Sequence, residues 1–237
     1  MDSLRQNAQS ERSREIEAFI LGGGVGSRMG REKHLLELDG VPVIVRTLQL
    51  VQPLVKKITV IGPTHLRLPS EVLVVGDLDY GLPTQSGKSK SPLFGIATAL
   101  FHSRSPWNLI LACDLPYLSR EWLVLLLSHA ERSNAQIVMP CTSGGAQPLA
   151  AIYRRECGPA IVESLRNGVR KVKDTLAQFS IEAWLESDWK QLDPEGIILK
   201  SMNTPADYEE ARKWWDAKES REIASSCTGE SLREKQT

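Results

Sequence analysis

The sequence predicts an α/β fold with a mostly parallel sheet and helices on both of its faces. Two observations lead to this prediction: short apolar runs alternate with segments of helical spacing, and several of the runs end in glycine, proline or aspartate. Strands that alternate with helices form βαβ units, which produce parallel sheets covered by helices. The length of 237 residues suits one such domain, which we expect over residues 16–216.

Six short apolar runs are the predicted strands. They are Glu17–Leu21, Lys57–Ile61, Val72–Val75, Asn108–Ala112, Gln136–Met139 and Leu149–Tyr153. Gly62-Pro63 follows the second run and Pro140 follows the fifth. Because proline cannot donate to a sheet ladder, we expect both strands to end there.

Apolar residues at helical spacing predict helices between and after these runs. The predicted helices are Val43–Val51, Leu93–Phe101, Arg120–Ala130, Pro159–Arg166, Val172–Phe179 and Pro205–Trp215. Ser119 is the expected N-cap of the third helix, with Glu121 in its first turn. Pro205 begins the last helix, at a position where a missing N–H costs nothing.

The composition argues against several classes of protein. Lysine plus arginine number 29, as do aspartate plus glutamate, so a broad basic face for nucleic acid is not expected. The apolar runs are too short to span a bilayer, and the N-terminal residues lack the apolar core of a signal peptide. The four cysteines form no C-x-x-C pair or zinc pattern, which favours reduced thiols in the cytoplasm. We expect a disordered arm over residues 1–15 and a polar tail over residues 217–237.

A glycine-rich stretch, LGGGVGSRMGREK over residues 21–33, directly follows the first predicted strand. Ligands of parallel sheets bind at the carboxyl ends of the strands, so the stretch lies where a ligand collects. Glycines let the backbone approach a ligand, and consecutive N–H groups can hold phosphate oxygens. The dinucleotide spacing G-x-G-x-x-G fails at Met29, and the P-loop pattern fails at Arg31. The run SGKSKS over residues 86–91 also lacks the upstream glycine of a P-loop, because position 82 is Leu82.

Two cations follow the glycines of this stretch. Arg28 and Lys33 would offset the charge of a polyphosphate and of a leaving pyrophosphate. The stretch is therefore a candidate site for a nucleoside triphosphate. A loose loop with solvated charges is the alternative that the residues alone leave open.

Two aspartates end predicted strands at the same edge of the sheet as the glycines. Asp114 closes the run NLILACD, where a carboxylate suits Mg²⁺ shared with substrate phosphates, although a turn aspartate is the alternative. Asp77 follows VLVVG, and the residues alone leave open whether it binds a nucleotide hydroxyl, a base or no ligand. Gln147 and Asn203 are weaker candidates, because turn and cap roles explain them without a ligand. The basic cluster over residues 166–173 is a solvated helix start or a site for the phosphate of a second substrate.

A set of motifs in a fixed order covers most of the chain. LGGGVGSRMGREKHLLELDGVPVI follows the pattern L-A-G-G-x-S-x-R-M-G-x-x-K, then L-L-x-L-x-G-x-P-L, with Gly22 in place of the alanine and Gly26 in place of the serine. The later motifs are PLFGI (residues 92–96), ACDLPYL (112–118), QPLAAIYRR (147–155) and NTPADYEEA (203–211). Together they resemble the molybdenum cofactor guanylyltransferases, a family of the NTP-transferase superfamily.

The resemblance implies a Rossmann-like three-layer α/β/α nucleotidyltransferase domain in the cytoplasm. Such an enzyme transfers GMP from GTP to the phosphate of molybdopterin, with Mg²⁺, and releases pyrophosphate. Its partners would be GTP and molybdopterin as substrates, neither nucleic acid nor membrane, and proteins of molybdenum insertion or molybdoenzyme maturation.

The resemblance also implies roles for the residues that match the family's motifs. The loop residues that would meet the guanine nucleotide are Leu21, Gly22 and Gly23. Lys33 matches the nucleotide-binding lysine, and Asp77 matches a GTP-contacting aspartate. Asp114 matches the aspartate that binds both GTP and Mg²⁺. With Arg28 and Lys33, it is expected to stabilise negative charge on the phosphates during transfer.

Some positions depart from the family's usual residues. Gly26 stands where the guanylyl enzymes usually have serine, and Ile61 stands where some members have a nucleotide-contacting asparagine. Ser201 replaces a frequent asparagine. The alternatives are a cytidylyl- or sugar-phosphate nucleotidyltransferase of the same fold, or a non-catalytic nucleotide-binding homologue. The Gly23-Gly24 pair favours guanine over cytosine, and retained Lys33 and Asp114 favour an active enzyme.

Overall fold

A computed structural model describes residues 15–22, 35–66, 68–78 and 91–218. The strands within these residues are β1 (Ile16–Leu21), β2 (Glu37–Leu38), β3 (Val41–Pro42), β4 (Lys57–Ile61), β5 (Leu73–Val75), β6 (Trp107–Ala112), β7 (Ile137–Thr142), β8 (Gly145–Ala146), β9 (Ala150–Arg154) and β10 (Ile181–Leu185). The α-helices are α1 (Val43–Val51), α2 (Pro92–His102), α3 (Arg120–Arg132), α4 (Gly158–Arg166), α5 (Val172–Leu176), α6 (Glu186–Trp189) and α7 (205–218).

Eight of these strands form one sheet, in the order β10-β7-β9-β6-β1-β4-β5, with β8 paired to β7. β1 runs parallel to both β4 and β6, β4 runs parallel to β5, and β7 runs parallel to β10. β9 is antiparallel to its neighbours β6 and β7. The mostly parallel sheet predicted from the alternation of strands and helices is confirmed.

The side chains of β1 show how the sheet separates two layers of helices. Ile20 packs on one face with Ile44 of α1 and Trp122 of α3. Phe19, its neighbour in the chain, packs on the opposite face with residues of α2 and α4, including Ile96. Because alternate side chains of a strand point to opposite faces, β1 is buried on both sides. The arrangement is the three-layer α/β/α fold expected from the resemblance.

The strand β7 continues through Pro140, so the prediction that Pro140 ends it is wrong. The Pro140 carbonyl accepts a hydrogen bond from the backbone N–H of Gln147 at 2.9 Å. The nitrogen of Pro140 therefore faces the same side of β7 as its carbonyl. On that side it lies between the pairing of Val138 with β9 and the pairing of Cys141 with β8. The missing N–H interrupts no ladder hydrogen bond at this gap.

The strand β10 is an element that the sequence analysis did not predict. Ile181 and Leu185 are exposed, whereas Trp184 is buried against Trp122 and Trp189 with ring centroids 5.3 and 4.5 Å away. The sequence of β10, IEAWL, does not alternate apolar and polar residues, so this edge strand lacks the usual sequence signal of a strand.

The carboxylate of Glu182 joins β10 to the end of α3. It accepts hydrogen bonds from the Ser133 hydroxyl and from His129 Nε2, the latter at 2.7 Å. The Ser133 bond, followed by His129, holds the pKa of Glu182 below its ordinary value of 4.5. A carboxyl group with a lowered pKa stabilises the folded state above its unfolded pKa.

Two further observations concern the described residues. No helix in the described part of the chain is long and apolar enough to cross a bilayer. Cys113, Cys141 and Cys157 are free thiols, and Cys113 and Cys157 are buried.

We predict that Glu182→Gln lowers the free energy of unfolding near neutral pH by at most ~1 kcal/mol, because the carboxylate is partly exposed. The difference from the wild type should shrink as the pH falls through and below 4.5, since both proteins are then neutral at this position. Urea denaturation over a pH series measures it. A difference that grows as the pH falls would contradict this account of Glu182.

Candidate functional site

Four adjacent strands end in one row at the carboxyl edge of the sheet. Leu21 at the end of β1 is in register with Ile61 of β4 on one side and with Ala112 of β6 on the other. Ile61 is in turn in register with Val75 at the end of β5. The residues that follow these ends therefore leave the sheet side by side.

Hydrogen bonds extend the row by one residue beyond the strand ends. The backbone N–H of Gly22 donates to the Ile61 carbonyl at 2.8 Å, and that of Gly62 donates to the Val75 carbonyl at 2.9 Å. The backbone N–H of Cys113 donates to the Leu21 carbonyl at 3.2 Å. The Gly22 N–H is thus engaged in the sheet and is not a free donor for a phosphate oxygen, contrary to the expectation for consecutive glycines.

The structure gives Gly22 a packing role. A Cβ at this position would lie 3.3 Å from Cδ1 of Ile44 and 3.4 Å from Cγ1 of Val60. The first distance is shorter than an ordinary van der Waals contact, and the second is at the lower limit of one. The absence of a side chain lets α1 pack closely against the end of β1, where the glycine-rich stretch begins.

Asp77 is half-buried and lies two residues beyond the end of β5, after the strand as the sequence predicts. The next residue, Leu78, donates its backbone N–H to the hydroxyl of Thr98 on α2 at 3.1 Å. The same helix approaches β1 at Gly95, where a Cβ would lie 3.0 Å from Cδ1 of Leu21. Helix α2 therefore contacts both the end of β1 and the segment that carries Asp77.

Asp114 is half-buried and lies two residues beyond the end of β6. Its carbonyl accepts the backbone N–H of Met202 at 2.9 Å. The carbonyl of Pro116, two residues on, accepts the indole N–H of Trp215 at 3.0 Å. The turn that carries Asp114 is thus held by two hydrogen bonds from residues late in the chain.

These late residues belong to a cluster, here called the C-terminal brace, which packs beside the Asp114 turn. Its buried members are Leu36, Leu38, Val43, Tyr117, Met202 and Ala211. The ring of Trp214 stands edge-on to Tyr117 with centroids 5.3 Å apart, and the guanidinium of Arg46 lies 4.0 Å above the ring of Trp215. The sequence analysis placed Trp215 only at the end of the last predicted helix, and it missed that this residue hydrogen-bonds to the turn.

The hydroxyl of Tyr117 is buried and has no hydrogen-bond partner among the described residues. Burial, together with the nearby carboxylates of Glu210 and Asp207, raises the pKa of Tyr117 to about 12. The phenol is therefore neutral at physiological pH and supplies no charge to the candidate site.

The weaker polar candidates have structural roles. Gln147 donates from Nε2 to Thr142 Oγ1 at 3.3 Å, inside the β7–β8 hairpin. Thr204 caps α7, because its Oγ1 accepts the backbone N–H of Asp207, whose carboxylate accepts the backbone N–H of Thr204 at 2.7 Å. The backbone N–H of Asn203 also donates to Asp207 Oδ2, and these bonds lower the pKa of the Asp207 carboxyl.

Three residues predicted for the site lie outside the described residues: Gly23, Arg28 and Lys33. Their neighbours in the chain are described at both ends. Gly22 lies at the edge of the sheet, and Leu36 packs in the C-terminal brace with Tyr117. These two flanking residues therefore lie at the strand ends and in the cluster beside the Asp114 turn.

The described residues include no group of three or more His, Cys, Asp or Glu side chains that could hold a metal ion by themselves. Mg²⁺ usually binds through one or two carboxylates together with substrate phosphates and water. A single aspartate at the strand edge, Asp114, fits that kind of shared site and does not fit an all-protein metal cage.

Comparison with known proteins gives the same family as the motifs. The model of the MobA-like NTP transferase domain matches residues 18–180. A protein of Trichormus variabilis named "Probable molybdenum cofactor guanylyltransferase" is 32% identical over 196 residues, which are 81% of this chain and 88% of that protein. A protein of Natranaerobius thermophilus with the same name is 27% identical over 202 residues, which are 84% of this chain and 96% of that protein.

Solved structures share the fold. Molybdopterin-guanine dinucleotide biosynthesis protein A from Archaeoglobus fulgidus superposes with a TM-score of 0.70 at 22% identity, covering 85% of this chain and 99% of that chain. The 2-C-methyl-D-erythritol 4-phosphate cytidylyltransferase from Thermus thermophilus superposes with a TM-score of 0.62 at 14% identity, covering 85% and 99%. The family model covers more than half of the sequence, and the chain belongs to the family of MobA-like NTP transferase domains.

Proposed function

We propose that this protein is a guanylyltransferase that transfers GMP from GTP to the phosphate of molybdopterin and releases pyrophosphate. The observation that carries the proposal is the common row of strand ends, which places Leu21 between the Asp77 segment and the Asp114 turn. The curated relatives that align along most of this chain bear the guanylyltransferase name.

The spacing of the two aspartates suits an extended nucleotide. β5 and β6 are three strand positions apart in the sheet. At an interstrand distance of about 4.8 Å, Asp77 and Asp114 are separated by roughly 14 Å across the edge. A nucleoside triphosphate that lies across the end of β1 would bring its base or ribose to Asp77 and its phosphates to Asp114.

The phosphates of such a nucleotide would lie near Asp114, and the cations Arg28 and Lys33 are expected on the same side. Leu36, three residues after Lys33, belongs to the same buried cluster as Tyr117, three residues after Asp114. The shared cluster supports a role for Lys33, and with it Arg28, beside phosphates that are held near Asp114. Both cations would stabilise the charge that develops on the pyrophosphate as it leaves.

The proposed reaction is an in-line displacement at the α-phosphorus of GTP. An oxygen of the molybdopterin phosphate forms the new P–O bond, and the bond to the bridging oxygen of pyrophosphate breaks. Mg²⁺, held by Asp114 together with the phosphates, would neutralise part of their charge. The acceptor phosphate is ionised at neutral pH, so the protein's task is to position the two substrates rather than to remove a proton.

A cytidylyltransferase is the second candidate, because an enzyme that uses a cytidine nucleotide shares this fold. The two candidates differ in the base that the Asp77 side of the site accepts. Cytoplasmic location and contact with proteins of molybdenum insertion or molybdoenzyme maturation are further parts of the proposal, and they follow from guanylyl transfer to molybdopterin.

Pyrophosphate release distinguishes these candidates. The protein is incubated with Mg²⁺, molybdopterin and each of GTP, CTP, ATP and UTP, with reactions that omit molybdopterin as controls. We expect release with GTP that depends on molybdopterin. Release with CTP and not with GTP would contradict guanylyl transfer, and nucleotide binding without any release would indicate a non-catalytic homologue.

We predict that Asp114→Asn lowers Mg²⁺-dependent turnover about 100-fold or more, because the amide removes a charged ligand from the phosphates. The change keeps the shape of the side chain, so thermal unfolding should be close to that of the wild type. Glu156→Gln is the matched control, since it removes a charge from an exposed residue that follows the carboxyl end of the antiparallel strand β9, at the opposite edge of the sheet. Turnover of Asp114→Asn within a few-fold of the control would show that Asp114 does not hold the metal.

A further inference from the structure

Thr98 is a buried polar residue that the proposed reaction does not use directly. Its side chain is fully buried on α2, a helix whose other buried residues are mostly apolar. Burial of a hydroxyl among apolar groups costs free energy unless it is hydrogen-bonded, and valine would fill the same volume without that cost. The hydroxyl at this position therefore calls for a polar explanation.

The polar contact is with the segment that carries Asp77. Thr98 Oγ1 accepts the backbone N–H of Leu78 at 3.1 Å, across twenty residues of sequence. The preceding anchor of this segment is the hydrogen bond from Gly62 N to the carbonyl of Val75, at the end of β5. Asp77 lies between the two anchors, so Thr98 fixes the downstream side of the aspartate as the chain leaves the sheet.

The same helix also sets the position of β1. A Cβ at Gly95 would meet Leu21 Cδ1 at 3.0 Å and Cδ2 at 3.2 Å, so the helix backbone lies tightly against the Leu21 side chain. Positions 95 and 98 are three residues apart and lie on one face of α2. One helix face thus fixes both Leu21 and the Asp77 segment, and with them the distance between two predicted nucleotide contacts.

We infer that Thr98 is a positioning residue. It affects nucleotide binding by holding Asp77 in place. Its hydroxyl holds the Leu78 amide, and this bond orients the Asp77 carboxylate toward the base or ribose of the bound nucleotide. The inference rests on the proposed function, in which Asp77 contacts GTP. It predicts an effect on nucleotide affinity rather than on the chemical step, because the phosphates lie at the Asp114 end.

Thr98→Val tests this role, because it keeps the branched shape and removes the acceptor. We expect GTP affinity, measured by equilibrium binding to the full chain, to fall about tenfold, because the segment that carries Asp77 loses one of its two anchors and must be ordered when the nucleotide binds. KM for GTP should rise by a similar factor, and kcat should change less than about twofold. In the protein without nucleotide, hydrogen exchange of the Leu78 amide should become faster.

Two control variants separate positioning from general stability. Thr98→Ser keeps the hydroxyl and should restore GTP affinity to within about twofold of the wild type. Thr47→Val removes another buried threonine hydroxyl, which donates along its own helix to the Val43 carbonyl at 3.0 Å, and should leave GTP affinity unchanged. Thermal unfolding of both valine variants shows whether their stabilities are comparable.

The outcomes are distinguishable. If the wild type binds GTP and Thr98→Val binds it with the same affinity, the inference is overturned while the proposed function stands. The same holds if Thr98→Ser does not restore the affinity that Thr98→Val loses. An equal loss in Thr47→Val would assign the effect to stability and would also overturn it. A wild-type protein that binds no GTP would overturn the proposed function, and the inference would fall with it.

Discussion

The parallel pairing of β1 with β4 and β6 is the constraint on which the candidate site depends. It puts Leu21, Ile61 and Ala112 in one row, and the pairing of β4 with β5 adds Val75 to that row. Parallel strands end at a common edge, so strand pairing alone brings the polar residues just beyond their ends close together. A change of register by one residue would turn the side chains of β1 to the wrong helix layers.

Contacts outside the sheet then fix how the chain leaves that edge. Helix α2 holds one side through Gly95 and Thr98, whereas the C-terminal brace holds the other through Met202 and Trp215. The residues that make these contacts are far apart in the chain. Gly95 and Thr98 lie before β6, whereas Met202 and Trp215 follow α6. Segments that are distant in the chain therefore share the task of placing the two aspartates, which agrees with a site that works by positioning and electrostatics.

Periodicity and strand ends were enough to predict most of the fold and the location of the site. The helix at Val43–Val51 and the strand at Lys57–Ile61 have the predicted bounds, and Asp77 and Asp114 follow strands as expected. Local patterns did not predict β10 or the passage of β7 through Pro140. Both depend on strand pairing, of β10 with β7 and of β7 with β8. The roles of Thr98 and Trp215 were equally hidden, since each bonds to a residue far away in sequence. Nothing in a single sequence marks such pairs.

The most direct test of the central claim is a crystal structure of the protein with GTP and Mg²⁺. The account predicts that the nucleotide lies across the end of β1, with its base or ribose beside Asp77 and its phosphates beside Asp114 and Lys33. It further predicts that the Thr98–Leu78 hydrogen bond is kept in the complex. A nucleotide bound at the opposite edge of the sheet, or one whose phosphates lie beside Asp77, would contradict it.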